Sequence, residues 1–353
     1  MSKLLVILTD ILSSSRKGRA NTMTNNELHS VIDELSEYQI DQIRKIAESY
    51  LAMNSELSDT TPKSCPCCKS RTSRFIKKGF SGRKQRYLCK ECGRKFTFDS
   101  GKVTAFSHQS EEKWFTFLED TFALKTLDAC AEHIGVCHTT AFFMRQKLLS
   151  FLEDAVNQTQ LLDGMIEADE TYILKGRKGC LLTDRKPRKH GEKAVKRGLS
   201  NELACICAAA DREGNIVVHC VNSGKPSSEE IKEAIGDRIA EGSVFQCDGE
   251  KAYNSLIVEK NCTKIVLNSH KDYNKVYHLN TVNSLHSRLK DVLKHFRGVS
   301  TKYLNRYLAF FSVMQLAAQR KDMRSIDYVR ILLDDVADFL PIRCLRSERL
   351  LAI

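Results

Sequence analysis

The chain has 353 residues, enough for two or three domains at roughly 150 residues each, and a hydrophobic fraction of 42% that supplies a core and excludes a disordered or fibrous class. No apolar run approaches the roughly 18 residues of a membrane span, and Leu4-Leu5-Val6-Ile7-Leu8, soon interrupted by Asp10, makes a poor signal peptide. A net charge of +11 favours an anionic partner, most commonly nucleic acid, while fourteen cysteines without an evenly spaced framework argue for a reducing, cytoplasmic setting.

Met23 opens a better-patterned segment than the residues before it, so residues 1–22 are expected to be dispensable or a start-site artefact. Between 25 and 53, Leu28, Ile32, Leu35, Ile40, Ile43 and Ile46 recur at roughly three- to four-residue spacing. That predicts one or two amphipathic helices packing on the next module. Ser55 to Lys63 reads as a linker, and residues 1–60 are taken together as a helical segment with its linker.

Residues 61–100 carry the most specific local signal. Cys65 and Cys68 form one Cys-x-x-Cys pair, Cys89 and Cys92 a second. Each pair turns two thiolates toward one point, and two pairs complete a tetrahedral site for one structural Zn²⁺. Short strands are expected at 75–79 and 84–88, with the hairpin continuing through 93–98: a zinc ribbon, with Cys67 a bystander. The ribbon is dense in Lys and Arg, which suits contact with nucleic acid better than a merely solvated surface.

Residues 108–158 predict three helices, at 112–124, 126–134 and from Thr139 or Thr140 to 152. Thr126 is a good N-cap and Gly135 a stop. Helix, short Gly-containing turn, helix is the pattern of a helix-turn-helix. Its second helix would present His138, Thr139, Thr140, Arg145 and Lys147 to DNA. A plain three-helix bundle is the alternative.

Near residue 160 the period changes from helical to alternating. In 164–173, Ile166 and Ala168 take one face of a strand and Glu167 and Asp169 the other. A carboxylate on a central strand is costly unless a cation or hydrogen-bond donor meets it. The next segment, 175–198, holds ten Lys and Arg against Asp184 and Glu192, so eight of the chain's net eleven positive charges lie there. Arg185, Lys186, Arg188 and Lys189 are its candidate phosphate contacts. Strands are then expected at 203–210, 216–221, 244–248 and 265–267. Helices are expected from the capping box at Ser227–Glu230 to about 240, and at 251–258, 278–296 and 301–320. This order suits an α/β, RNase H-like mixed sheet flanked by helices over 160–320. Residues 321–353 read as a helical tail.

Asp169 lies in the first of these strands and Asp248 at the end of the fourth. On the 278–296 helix, Asn283, Ser287 and Lys290 fall at i, i+4 and i+7 and share a face. Two acids at adjacent strand ends plus an oxygen from a facing helix can hold two Mg²⁺ (or Mn²⁺) ions for in-line attack on phosphorus.

Three stretches carry a resemblance. They are Glu167-Ala168-Asp169-Glu170-Thr171-Tyr172, Cys247-Asp248-Gly249-Glu250-Lys251-Ala252-Tyr253, and His278 to Asn283 with Arg288-Leu289-Lys290. In this order and behind a zinc ribbon, the chain resembles a bacterial insertion-sequence transposase of the DDE superfamily, in the group with an Asp-Asp-Asn/Glu-Lys active site. The resemblance spans about 60–320. It implies binding to terminal inverted repeats and target DNA, divalent-metal cleavage and strand transfer without a covalent protein–DNA intermediate, and a homo-oligomer on DNA. It also implies that Asp169, Asp248 and Asn283 bind metal and that Lys290 contacts phosphate. Asn283, 35 positions beyond Asp248, stands where most of the superfamily has Glu. A catalytically inactive DNA-binding regulator and an RNase H-like nuclease are the competing readings.

Overall fold

The computed structural model describes residues 64–335 except 71–73, 83, 160, 179–193, 269, 322 and 323, together with Pro62 and Leu345. The helices expected at 25–53 and the tail beyond 335 lie outside the described residues. The chain divides into two compact units, Met1–Pro62 and Lys63–Ile353.

Three short strands open the second unit: β1 (Phe75–Ser81), β2 (Lys84–Cys89) and β3 (Lys95–Thr97), antiparallel in the order β1-β2-β3. Their core is small: Cys65, Tyr87, Cys89 and Phe96 are buried, and Phe75 meets Phe96 edge-on at 5.6 Å. So little apolar surface needs a further staple, and the cysteines supply the ligands for one.

Three helices follow: α1 (Glu111–Phe122), α2 (Leu127–Ile134) and α3 (His138–Thr159). Ser110 and Thr126 cap the first two, each side chain accepting a backbone N–H. Gly135 ends α2 at φ 64°, a left-handed conformation that costs glycine little, and the chain turns directly into α3. Trp114, Phe117, Cys130, Ile134, Ala141 and Met144 close the core between these helices.

The large sheet is mixed and has five strands: β4 (Met165–Leu174), β5 (Leu203–Asp211), β6 (Ile216–Ser223), β7 (Val244–Cys247) and β8 (Thr263–Val266), in the order β6-β5-β4-β7-β8. The first three are antiparallel neighbours, and β7 and β8 run parallel to β4. This is an RNase H-like layout with β4 at its centre. Helices α4 (Ser228–Ile235) and α5 (Asn254–Glu259) cover one face; α6 (Asn280–His295) and α7 (Leu304–Gln319) cover the other. Helix α8 (Ser325–Asp335) packs beside α7. Strand β5 is buried on both faces, and its alanines and cysteines let helices approach closely. Leu118, Leu148, Leu152, Ile206, Leu289 and Phe310 belong to one continuous cluster, so α1 and α3 share their core with the sheet. No described helix is long and apolar enough to cross a membrane.

Candidate active site

Alternation along β4 decides which side chains reach the site. Ile166 and Ala168 enter the core beneath α4 and α5. Glu167 and Asp169 therefore point to the α6 side. Strand β7 ends beside β4, and Asp248 follows it immediately. Gly249 then turns the chain at φ 90°; a Cβ there would meet Asn268 Oδ1 at 2.9 Å. The Glu250 N–H donates to Asp248 Oδ1 at 3.0 Å, which steadies the carboxylate at the strand end.

The two aspartates feel one another. Burial first, and then the charge of Asp248, pushes the Asp169 carboxyl up to about 6, against the pull of the Glu170 backbone N–H and the Lys290 ammonium. Asn283 and Lys290 are exposed on one flank of α6, while Val282, Leu285, His286 and Leu289 are buried against the sheet. The Tyr273 hydroxyl shares a hydrogen bond with the Asn283 side chain; burial, then the charges of Asp169, Glu167 and Asp248, push that phenol up. Asp169, Asp248, Asn283 and Lys290 thus share one electrostatic neighbourhood at the junction of β4, β7 and α6.

Two mutually repelling carboxylates and an amide oxygen form an oxygen-only donor set that fits Mg²⁺ or Mn²⁺. The exposure of Asp248 and Asn283 leaves room for the waters such ions keep. His286 sits below, its Nδ1 3.8 Å from Asp169 Oδ2. Burial pulls its pKa down to about 4, so at neutral pH it is an uncharged neighbour rather than an ion-pair partner. Glu170 points to the opposite face, where burial and nearby acids hold its carboxyl up at about 7 against a Tyr253 hydrogen bond. A cleft of about 650 Å³ borders Asp248, with Lys225, Ser227, Glu250 and Lys251 on its walls.

The cysteine set forms a second possible metal site. The sulfurs of Cys65, Cys68, Cys89 and Cys92 lie within 4.8 Å of one another, and Cys67 is not part of the group. Four thiols at that spacing match a tetrahedral sulfur site for Zn²⁺.

The expected DNA-reading residues divide. Thr139 is exposed and Thr140 half-buried at the start of α3. Arg145 and Lys147 are corrected: both are buried, at 3% and 0% exposure. Arg145 donates to Lys125 O and Cys130 Sγ, both at 3.1 Å, and stacks near Phe117 and Phe296. Lys147 donates to the Ala105 carbonyl and lies over Trp114 and Phe106. Both side chains are turned into the protein, so neither offers a base contact. The charge pattern of α3 could not separate an outward Arg from one folded into the core. Arg185, Lys186, Arg188 and Lys189 lie outside the described residues. Arg212 and Tyr273, both beside the site, were not anticipated: one sits in the β5–β6 turn and the other in the stretch leading to α6, with no motif to single either out.

A family model for an ISXO2-like transposase domain matches residues 161–312. The chain is 30% identical over 256 residues to an uncharacterized protein in transposable element ISH50 of Halobacterium salinarum, a match covering 70% of this chain and 84% of that protein. Among solved structures, it is similar to the mariner Mos1 paired end complex with Mg, at 13% identity and a TM-score of 0.28, covering 69% of this chain and 81% of that one. It is also similar to the simian T-cell lymphotropic virus intasome in complex with PP2A regulatory subunit B56 gamma, at 11% identity and a TM-score of 0.29, covering 61% and 73%.

Proposed function

The chain belongs to the ISXO2-like family of insertion-sequence DDE transposases, and from that premise we propose that it binds the terminal inverted repeats of its element and catalyses metal-dependent strand cleavage and transfer. One observation carries the catalytic part: the parallel pairing of β4 with β7, Glu167 opposite Gln246, brings Asp169 beside Asp248, 79 positions on in the chain, and the charge of Asp248 adds to burial in pushing the Asp169 carboxyl up. Divalent ions bound there would activate an attacking oxygen and stabilise the departing one at phosphorus.

The chain's own groups have separable tasks. Asp169 and Asp248 supply the negative charge. Asn283 supplies a neutral oxygen, leaving the site one charge short of a three-carboxylate set. Lys290, exposed on the same helix face, reaches toward a phosphate next to the scissile bond. Thr139 and Thr140, at the head of α3, are available to a major groove. The ribbon and the basic stretch holding Arg185, Lys186, Arg188 and Lys189 would bind phosphates without reading sequence.

The test is a strand-transfer assay with Mg²⁺ or Mn²⁺ on DNA carrying the element's ends. Wild-type protein is expected to join 3′ ends to target DNA. Asp169→Ala and Asp248→Ala are each expected to lose activity by a factor on the order of 10²–10³ or more while still binding the ends. An Asp169→Ala protein as active as wild type sinks the assignment. Binding without cleavage by the wild type would select the regulator, and cleavage without joining the nuclease.

A further inference from the structure

Glu167 is the most heavily engaged side chain near the site, and no metal role explains it. It lies on β4 two residues before Asp169 and is 1% exposed. Its carboxylate accepts the backbone N–H groups of Thr281 and Val282 at 2.8 and 3.1 Å, and the Thr281 hydroxyl at 2.8 Å. It also pairs with Arg212 and lies 3.1 Å from His278 Nδ1. Arg212 in turn donates to Thr281 Oγ1 at 3.2 Å and to the Val276 carbonyl at 3.1 Å.

The neighbouring chain serves only the first N–H of helix α6, that of Asn280, which donates to His278 Nδ1 at 3.4 Å. Leu279, at its N-cap, makes no side-chain capping hydrogen bond, so the next N–H groups, of Thr281 and Val282, would be orphaned without an outside acceptor. Glu167 provides it from the sheet, with its charge at the positive end of the helix. We infer that Glu167 is a positioning residue: by capping α6 from the strand that carries Asp169, it fixes Asn283 against Asp169. Two residues along β4 and two along α6 are short, stiff levers. Play at the cap becomes play between Asn283 and Asp169, and a misplacement of about 1 Å costs on the order of a hundredfold in rate. Arg212 neutralises the buried carboxylate and ties the β5–β6 turn to the segment leading into α6. This inference rests on the active-site reading above.

The experiment uses full-length Glu167→Gln and Arg212→Gln proteins. Glutamine keeps the size and one acceptor oxygen but loses the charge. By hydrogen exchange, the 279–286 segment of Glu167→Gln is expected to exchange at least about tenfold faster while β4 and β5 stay protected. Arg212→Gln, in a partly exposed turn, is expected to change the same segment less. Hydroxyl-radical cleavage by Fe²⁺ loaded in place of Mg²⁺ is expected to cut near Asp169, Asp248 and Asn283 in the wild type. In Glu167→Gln the cut in α6 should fade and the other two persist, with strand transfer down about a hundredfold. Unchanged exchange at 279–286 in both variants overturns the inference. So does loosening spread evenly over the sheet, the signature of a merely structural residue. An Asp169→Asn protein that retains strand transfer overturns the active-site reading and the positioning role with it; the exchange result, which needs no metal, reports the cap separately.

Discussion

At Asp169 the protein tolerates an unfavourable charge. Its carboxyl has a folded pKa raised to about 6 from 3.8, so folding takes up a proton between those values. The resulting stabilisation is fully present below about pH 4 and is lost as pH rises through about 6. Above that, the ionised group burdens the metal-free fold by at most about 3 kcal/mol. Without added divalent metal, Asp169→Asn is therefore expected to stabilise the protein at pH 8 by about 1–2 kcal/mol, with no gain at pH 4. Thermal denaturation at the two pH values checks it. A variant less stable than wild type at pH 8 would mean that the Asp169 charge is already compensated by the protein. His286 does not supply that compensation, because burial keeps it neutral.

The helices show how far a pattern can be read at the level of an element. The three-helix run, its Thr126 cap and its Gly135 stop were all visible as local chemistry, and they stand in the fold. Which side of α3 faces out was not. Apolar residues mark a buried face reliably; a long cation does not mark an exposed one, because its stem packs and its head can find carbonyls and rings. Arg145→Ala is accordingly expected to lower stability by about 2–3 kcal/mol and to weaken DNA binding only as far as it unfolds the protein. Thr139→Ala is expected to change stability by less than about 0.5 kcal/mol while weakening DNA binding. Denaturation curves beside binding titrations separate the two; a fully stable Arg145→Ala protein with impaired binding would return Arg145 to the DNA surface.

Over the whole molecule, the ribbon and the sheet are held by different means. Among the described residues the ribbon's core is Cys65, Tyr87, Cys89 and Phe96, and its Lys69–Asp154 pair with α3 is a surface contact of 2.9 Å, worth at most about 1 kcal/mol. Its four ligand sulfurs lie within 4.8 Å of one another. The Ser70 backbone N–H draws the Cys68 thiol down, but burial and the three other thiols push it up to about 12. Zinc chelation is expected to unfold residues 65–98 and leave the 160–320 core protected, read by hydrogen exchange. Protection unchanged in both regions would refute the ribbon as a zinc module. Helices α1 and α3, by contrast, share their core with the sheet and should stay with it.

The sequence alone determined what is local and periodic: the two Cys-x-x-Cys pairs, the caps and glycine stops, and the alternation that puts Glu167 and Asp169 on one strand face. Each depends on neighbours within a few positions, where backbone geometry fixes the outcome. Only the tertiary structure decided how those pieces meet. The sheet order brings Asp248 beside Asp169, the packing of α3 takes Arg145 and Lys147 out of reach of DNA, and Arg212 and the α6 amides use up the Glu167 carboxylate. Burial and charge proximity arise from contacts between residues distant in the chain, and no local pattern encodes which partner a carboxylate or a cation will find.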